Sequence, residues 1–438
     1  MGTPATCAER ALLVAALLCG AAAAQAAPES APCPDGLPEA TRCLTGRDDA
    51  GAYYWFAVPA GWNGVLVLHA HGGPELGEPR AERTAQDLKR WAVMVKAGYA
   101  WAGSTYAQGG VAVRAAGEDT ERLRGLFSAA VGTPRLTILH GQSWGASVAA
   151  RAAELHRYDG VLLTSGVLGG GTRSYDFRLD LRVVYQALCG NHPLPNEPAY
   201  PLWQGLPPGS KLTRAELSRR VDECTGVRLP PAQRSAEQQR KLDAILAVVR
   251  IPERSLIGHL DWGTWHFQDI VYKRLDGGNP FGNIGANYAG SGSADDDAKL
   301  NASVARYRAE PAAVARFAQD TDPTGRIAAP VLTTHAIDDP IAFVELDSAF
   351  RDTMRAAGTA DHLVQTYTDE HEHSYLSDPE YVALMDALLA WITQHDRPTP
   401  ERVAERCAAA LPRFSGGCHF VPTYQPKPLA QRVTPRAP

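Results

Sequence analysis

Gly141-Gln142-Ser143-Trp144-Gly145 is a G-x-S-x-G pattern set directly after the apolar run Leu136-Thr137-Ile138-Leu139 and before a helix-like stretch. The chemistry suited to that position is nucleophilic. A sharp strand-to-helix turn lifts a serine hydroxyl above a sheet, flanking glycines let backbone and helix approach without a Cβ clash, and the helix N-terminus beneath favours a developing oxyanion. A second pattern, His71-Gly72-Gly73-Pro74, follows the apolar run Val65–Leu68. A tetrahedral oxyanion needs two preorganised N–H donors. Trp144, the residue after the serine, offers one amide, and Gly73 offers the other, since Pro74 has no N–H. The hydroxyl also needs a base, and the base an acid to hold its tautomer. Downstream, Pro330–Thr334 leads into Asp338-Asp339-Pro340, and Thr368–Ser374 carries His371 and His373. Either aspartate can serve as the acid and either histidine as the base. Asp339 also reads as the N-cap of a following helix, which would leave Asp338 as the acid.

Such groups need a scaffold that brings distant segments together. Tyr53–Val58, Val65–Leu68, Tyr99–Ala102, Leu136–Leu139 and Gly160–Thr164 read as short strands. Helical periodicity runs over Ala81–Lys96, Glu118–Ala130 and Ala146–Leu155. Short apolar strands alternating with amphipathic helices predict an α/β fold: a mostly parallel sheet with helices on both faces. The alternation stops over 167–328, where helix-like stretches, prolines and glycines prevail. It resumes with Pro330–Thr334, a helix at Phe343–Ala357, a strand at His362–Tyr367 and a last long helix at Pro379–His395. The expected organisation is therefore a signal peptide at 1–26, core at 27–166, a large mainly helical cap insertion at 167–328, core at 329–396, and a Pro-rich, disulfide-containing extension at 397–438.

Bulk properties narrow the class. The chain has 438 residues, 45% apolar and 21% charged, with a net charge of −5 and no long basic run. That balance argues against a nucleic-acid partner. Arg10, the apolar stretch Ala11–Ala24 and the small-x-small pattern Ala24-Gln25-Ala26 predict an export signal, too short to serve as a stable membrane anchor. A secreted or periplasmic location follows. There the six cysteines beyond the signal favour disulfides, and pairing sequence neighbours gives 33–43, 189–224 and 407–418. No C-x-x-C or H-E-x-x-H spacing appears, and adjacent side chains in His371-Glu372-His373 diverge, so no metal site and no cofactor is expected. Asp295-Asp296-Asp297 after Gly290-Ser291-Gly292-Ser293 reads as a helix start rather than a calcium loop. His69 and His140, which flank the site motifs, are read as packing residues.

The order serine, acid, histidine, set on this alternation, resembles the α/β-hydrolases over about residues 50–166 and 330–395. The resemblance implies a serine hydrolase fold with a cap after the sixth core strand. It favours Asp339, which precedes the short turn Pro340-Ile341-Ala342, with Asp338 as the alternate. It also favours His373, nearest the segment that enters the final helix, with His371 as the alternate. Gly141–Gly145 together with His71–Pro74 is similar to prolyl aminopeptidases, except that Glu75 stands where they have a further glycine. Val58-Pro59-Ala60-Gly61-Trp62-Asn63-Gly64 resembles secreted esterases and depolymerases.

The expected activity is therefore hydrolysis of a small or polymeric carboxylic ester through an acyl-enzyme on Ser143. An aminopeptidase is the nearest rival and would need cap acids such as Glu216, Asp222, Glu223 or Asp261 to hold the substrate ammonium. A non-catalytic binding protein on the same fold is the other. The cap aromatics Tyr175, Phe177, Tyr185, Trp203, Trp262, Trp265, Phe267 and Phe281 are read mainly as the cap's own core.

Overall fold

The computed structural model describes Gly2 and residues 27–436. The export signal expected at 1–26 lies, apart from Gly2, outside the described residues. The strands are β1 (Glu29–Ala31), β2 (Arg42–Arg47), β3 (Tyr53–Val58), β4 (Val65–Ala70), β5 (Ala100–Ser104), β6 (Leu136–Gln142), β7 (Gly160–Thr164), β8 (Val331–Ala336) and β9 (Leu363–Thr368). They form one sheet in the order β1-β2-β3-β5-β4-β6-β7-β8-β9. The first three strands, and β3 against β5, pair antiparallel; from β5 to β9 every pairing is parallel.

The aliphatic runs become central strands because a parallel strand is buried on both faces. Successive side chains point to opposite faces, so each run feeds two cores. Leu66, Leu68, Leu139, Val161 and Leu163 pack with Leu123, Phe127 and Ala149 of the helices Val113–Ala130 and Trp144–Leu155. Val65, Val67, Ile138, Leu162 and Leu332 pack on the other side with Trp91 and with Leu384 and Leu388 of the helix Asp378–Gln394. Between β7 and β8 the described chain is helical and irregular, without a strand, and runs from Gly171–Ser174 to Pro311–Thr321. The largest rings there bury one another: Phe267 stacks on Phe281 at 3.8 Å.

Tertiary contacts move several element boundaries away from the local pattern. The stretch Ala81–Lys96 is two helices, Glu82–Arg90 and Ala92–Lys96, broken at Trp91, whose indole Nε1 donates to Tyr381 Oη at 2.9 Å. The helix expected from Glu118 begins at Val113, because the Asp320 carboxylate accepts the N–H groups of Val113 and Arg114 from the far end of the insert. Residues 28–48 contain two strands, and 397 onward contains the helix Pro400–Ala410, N-capped by Thr399. Disulfides join Cys33–Cys43, Cys189–Cys224 and Cys407–Cys418. The chain after the last bridge returns to the sheet, where Asp369 N donates to His419 O and Val421 N to Tyr367 O.

Candidate active site

β6 ends at Gln142 and the next helix starts at Trp144, so one residue makes the whole turn. That residue, Ser143, has φ +58° and ψ −124°, a conformation that non-glycine residues avoid unless the surroundings impose it. The surroundings here are backbone. A Cβ on Gly145 would collide with the carbonyl oxygens of Ala70 and His71, so the helix can sit this close to β4 only with glycine there. Ser143 N donates to Thr164 O at 2.9 Å, and Ser143 O accepts Val167 N–H at 3.1 Å.

His373 lies between β9 and the final helix, with its Nε2 2.8 Å from Ser143 Oγ. Its Nδ1 is 2.7 Å from Asp339 Oδ2 and 3.0 Å from Oδ1. Asp339 follows β8, and its Oδ1 also accepts Ile341 N–H at 2.8 Å and Ala342 N–H at 2.9 Å. Those bonds close the tight turn after Asp339 and fix the carboxylate plane. Burial alone would raise this carboxyl, but the charge of His373 and hydrogen bonds from His335 and His373 hold it well below the usual carboxylate range. The helix that Asp339 was weighed as capping starts instead at Glu345.

The two alternates are also brought together, with each other. His371 Nδ1 is 2.9 Å from Asp338 Oδ2, and both side chains are mostly in solvent, 70% and 62% exposed. The turn and the loop thus carry two Asp–His pairs side by side, and the buried one reaches Ser143.

The loop His71–Pro74 leaves β4 and lies against the elbow. A Cβ on Gly72 would come within 3.0 Å of Ser143 Cβ and 2.9 Å of Gln142 O. Gly73 takes φ +67°, which glycine adopts freely. Its neighbours' carbonyls are each anchored. Tyr106 Oη donates to His71 O at 3.1 Å, Arg83 to Gly72 O at 3.0 Å, and His266 Nε2 to Pro74 O at 3.2 Å. Fixed carbonyls mean fixed peptide planes, hence amides that need no reorganisation. Trp144 N–H is the first of its helix and has no acceptor one turn back.

Several of these supports had no local signal. Arg90 donates to Ser374 O at 2.8 Å, and the Gln142 side chain donates to Ser374 Oγ, so the loop carrying His373 is held at Ser374, which has φ +63°. His335, fully buried on β8, sits behind the acid with Nε2 3.5 Å from Asp339 Oδ2 and Nδ1 3.1 Å from Asp347 Oδ1. His69 and His140 form a buried pair with Nδ1 atoms 3.0 Å apart, and burial foremost pushes both imidazoles down into the neutral form.

Among the described residues, Glu370, Glu380 and His419 bring three ligand-type atoms within 4.8 Å, but Glu380 already accepts the N–H groups of Ser377 and His419. The acids weighed as ammonium partners have partners of their own. Glu216 and Glu223 pair with Arg219, Asp261 pairs with Arg214, and Asp222 accepts Arg228 N–H.

Sheet order, elbow and the sequence of site residues are those of the α/β-hydrolase fold. No family model matches the chain, and no curated protein does. Among solved structures, feruloyl esterase B from Aspergillus oryzae is similar at 11% identity and a TM-score of 0.45, covering 85% of this chain and 87% of that one. An esterase from the same organism matches at 12% identity and a TM-score of 0.44, over 85% and 87%. A carboxyl esterase from Bacillus coagulans matches at 13% identity and a TM-score of 0.38, over 82% and 99%. Likeness at this level carries nothing about substrate.

Proposed function

We propose that this chain is an exported serine hydrolase of carboxylic esters, with Ser143 as nucleophile, His373 as base and Asp339 as acid. One observation carries the reading: the unbroken hydrogen-bond chain from Ser143 Oγ through His373 to the buried Asp339, set on a strained strand-to-helix turn. Ser143 Oγ attacks the ester carbonyl while His373 Nε2 takes its proton. The amides of Gly73 and Trp144 hold the oxyanion. His373 returns the proton to the departing alcohol, then activates water against the acyl-enzyme, and Asp339 stabilises the imidazolium each time it forms.

The helical segment 167–328 acts as a cap on this site. Supporting that role, His266 and His259 reach from it to the carbonyls of Pro74 and Pro340, and Ser143 is only 8% exposed. Closure of this kind excludes water from the reacting groups. Three disulfides suit an oxidising compartment outside the cytoplasm. The test is kcat/KM on p-nitrophenyl acetate, butyrate and octanoate beside proline and alanine p-nitroanilides, for the mature protein and Ser143→Ala. Ester turnover lost in Ser143→Ala is expected. Dominant anilide cleavage would overturn the substrate class, and an unlabelled Ser143 under a fluorophosphonate probe would overturn the hydrolase reading.

A further inference from the structure

The buried arginines of the insert and the tail arginine that reaches it differ in how many acceptors they meet. Arg182 donates to the carbonyls of Leu202 and Gly263, Arg220 pairs with Glu197 and Glu216, and Arg436 from the tail pairs with Asp176 and Asp180. Arg178, on the helix Phe177–Cys189, is 4% exposed and, among the described residues, its side chain makes one hydrogen bond where Arg182 makes several. One guanidinium nitrogen donates to Ser174 O at 2.7 Å, Nε has no hydrogen-bond partner, and among the described residues no carboxylate pairs with it. Three rings surround the guanidinium carbon, Phe177 at 4.6 Å, Trp262 at 5.2 Å and Tyr175 at 5.3 Å. Ring faces offset only part of what burying a cation costs. Burial pushes the guanidinium down to about 10, and among the causes only the Tyr175 phenol opposes it.

The neighbours share this shortage of partners. The Tyr175 hydroxyl is buried and has none. His266 stacks on Trp262 at 4.1 Å, across a π-helical turn that brings the two rings face to face. Its Nε2–H goes to Pro74 O, which leaves Nδ1 an unpartnered acceptor. The group lies between the loops that carry the site. His266 touches the residue after Gly73, while Phe177 packs edge-on to His259 at 5.1 Å, and His259 donates to Pro340 O beside Asp339.

We propose that Arg178 and Tyr175 form a carboxylate-binding subsite, so that the enzyme's substrate is an ester carrying a free carboxylate near the scissile bond. The guanidinium supplies Nε–H and Nη–H as a planar fork and Tyr175 supplies Oη–H, the donor set a carboxylate takes. His266 Nδ1, an acceptor, suits a substrate hydroxyl instead. This rests on the serine-hydrolase reading above and adds the charge of the substrate to it.

The experiment uses the whole mature chain and two matched ester pairs. The acyl half is probed by mono-4-nitrophenyl adipate against 4-nitrophenyl hexanoate, and the alcohol half by 4-acetoxybenzoate against its methyl ester. In one pair the wild type should favour the anionic member at least about tenfold in kcat/KM, as a charge-assisted contact implies. Arg178→Met should bring that ratio to about one, and Arg178→Lys, which keeps the charge but not the fork, should retain part of it. A wild type that favours the neutral member of both pairs overturns the proposal without any variant. A folded Arg178→Met that keeps the wild-type ratio overturns the assignment to Arg178. If none of the four esters turns over and Ser143 stays unlabelled by fluorophosphonate, the hydrolase reading itself has failed, a pattern distinct from turnover without charge preference.

Discussion

His335 should be a buried cation in the folded protein, and replacing it should show this. Its Nδ1 faces the Asp347 carboxylate at 3.1 Å, and its Nε2 faces the Ala342 carbonyl at 2.7 Å, with Asp339 Oδ2 at 3.5 Å. None of these oxygens donates, so both ring nitrogens must, and a ring that donates twice is an imidazolium. Burial lowers its pKa, but the charge of Asp347 and hydrogen bonds with Asp339 and Asp347 push it up to about 10.

The folded value lies above the unfolded one, near 6.5. The stability it contributes is therefore fully present below pH 6.5 and is lost as pH rises through about 10. Breaking a buried pair by removing one partner typically costs about 3–5 kcal/mol, and His335→Gln, which keeps a donor, should fall near ~3 kcal/mol at pH 6.5. Urea unfolding followed by tryptophan fluorescence, disulfides intact, gives the loss directly. The gap between wild type and variant should shrink at pH 10. Adding Asp347→Asn to His335→Gln should restore most of the loss, because the stranded carboxylate is then gone. A loss under about 1 kcal/mol at pH 6.5, or a gap that widens with pH, would refute the buried cation.

His373→Ala should lower kcat by roughly 10³-fold or more, whereas His371→Ala should change it less than about threefold, measured as p-nitrophenyl ester turnover. Asp339→Asn and Asp338→Asn should divide the same way. Tyr106→Phe removes the hydroxyl that anchors His71 O, and on the proposed oxyanion role of the loop amides, which is exerted in the transition state, it should lower kcat by about tenfold with KM nearly unchanged. Gly145→Ala should leave no soluble folded protein, because its Cβ meets the Ala70 and His71 carbonyls, and expression yield with a melting curve reads this out.

What the sequence made legible was whatever is encoded locally. Val65–Leu68 and Leu136–Leu139 are strands by composition, and the elbow glycines are required by contacts a few residues or one strand away. The choice between Asp338 and Asp339, and between His371 and His373, was open for a physical reason: each aspartate has a histidine within reach, and only depth separates the pairs. Arg83, Arg90, Tyr106 and His335 escaped notice because each acts on a segment distant in sequence or, as with His335, because a histidine inside an apolar strand carries no sign of the acids that flank it. β2 was missed for a similar reason. Arg42–Arg47 has only Cys43 and Leu44 to bury, and it becomes a strand by pairing with β3.

The three disulfides share a property beyond clamping their loops. Reading from Cys33 onward, every cysteine is bonded to the next one along the chain, and no bridge encloses or crosses another. A chain delivered from its N-terminal end therefore presents each thiol with its proper partner before any competitor has arrived. Order of appearance alone writes the pattern, so oxidation during delivery should need no proofreading by a disulfide isomerase. The six bridged cysteines, fully reduced and oxidised all at once, have the 15 pairings that six allow. Yield after such treatment should depend on an isomerase, while yield from cells that export the chain should not, and equal dependence in both would show that order of appearance plays no part.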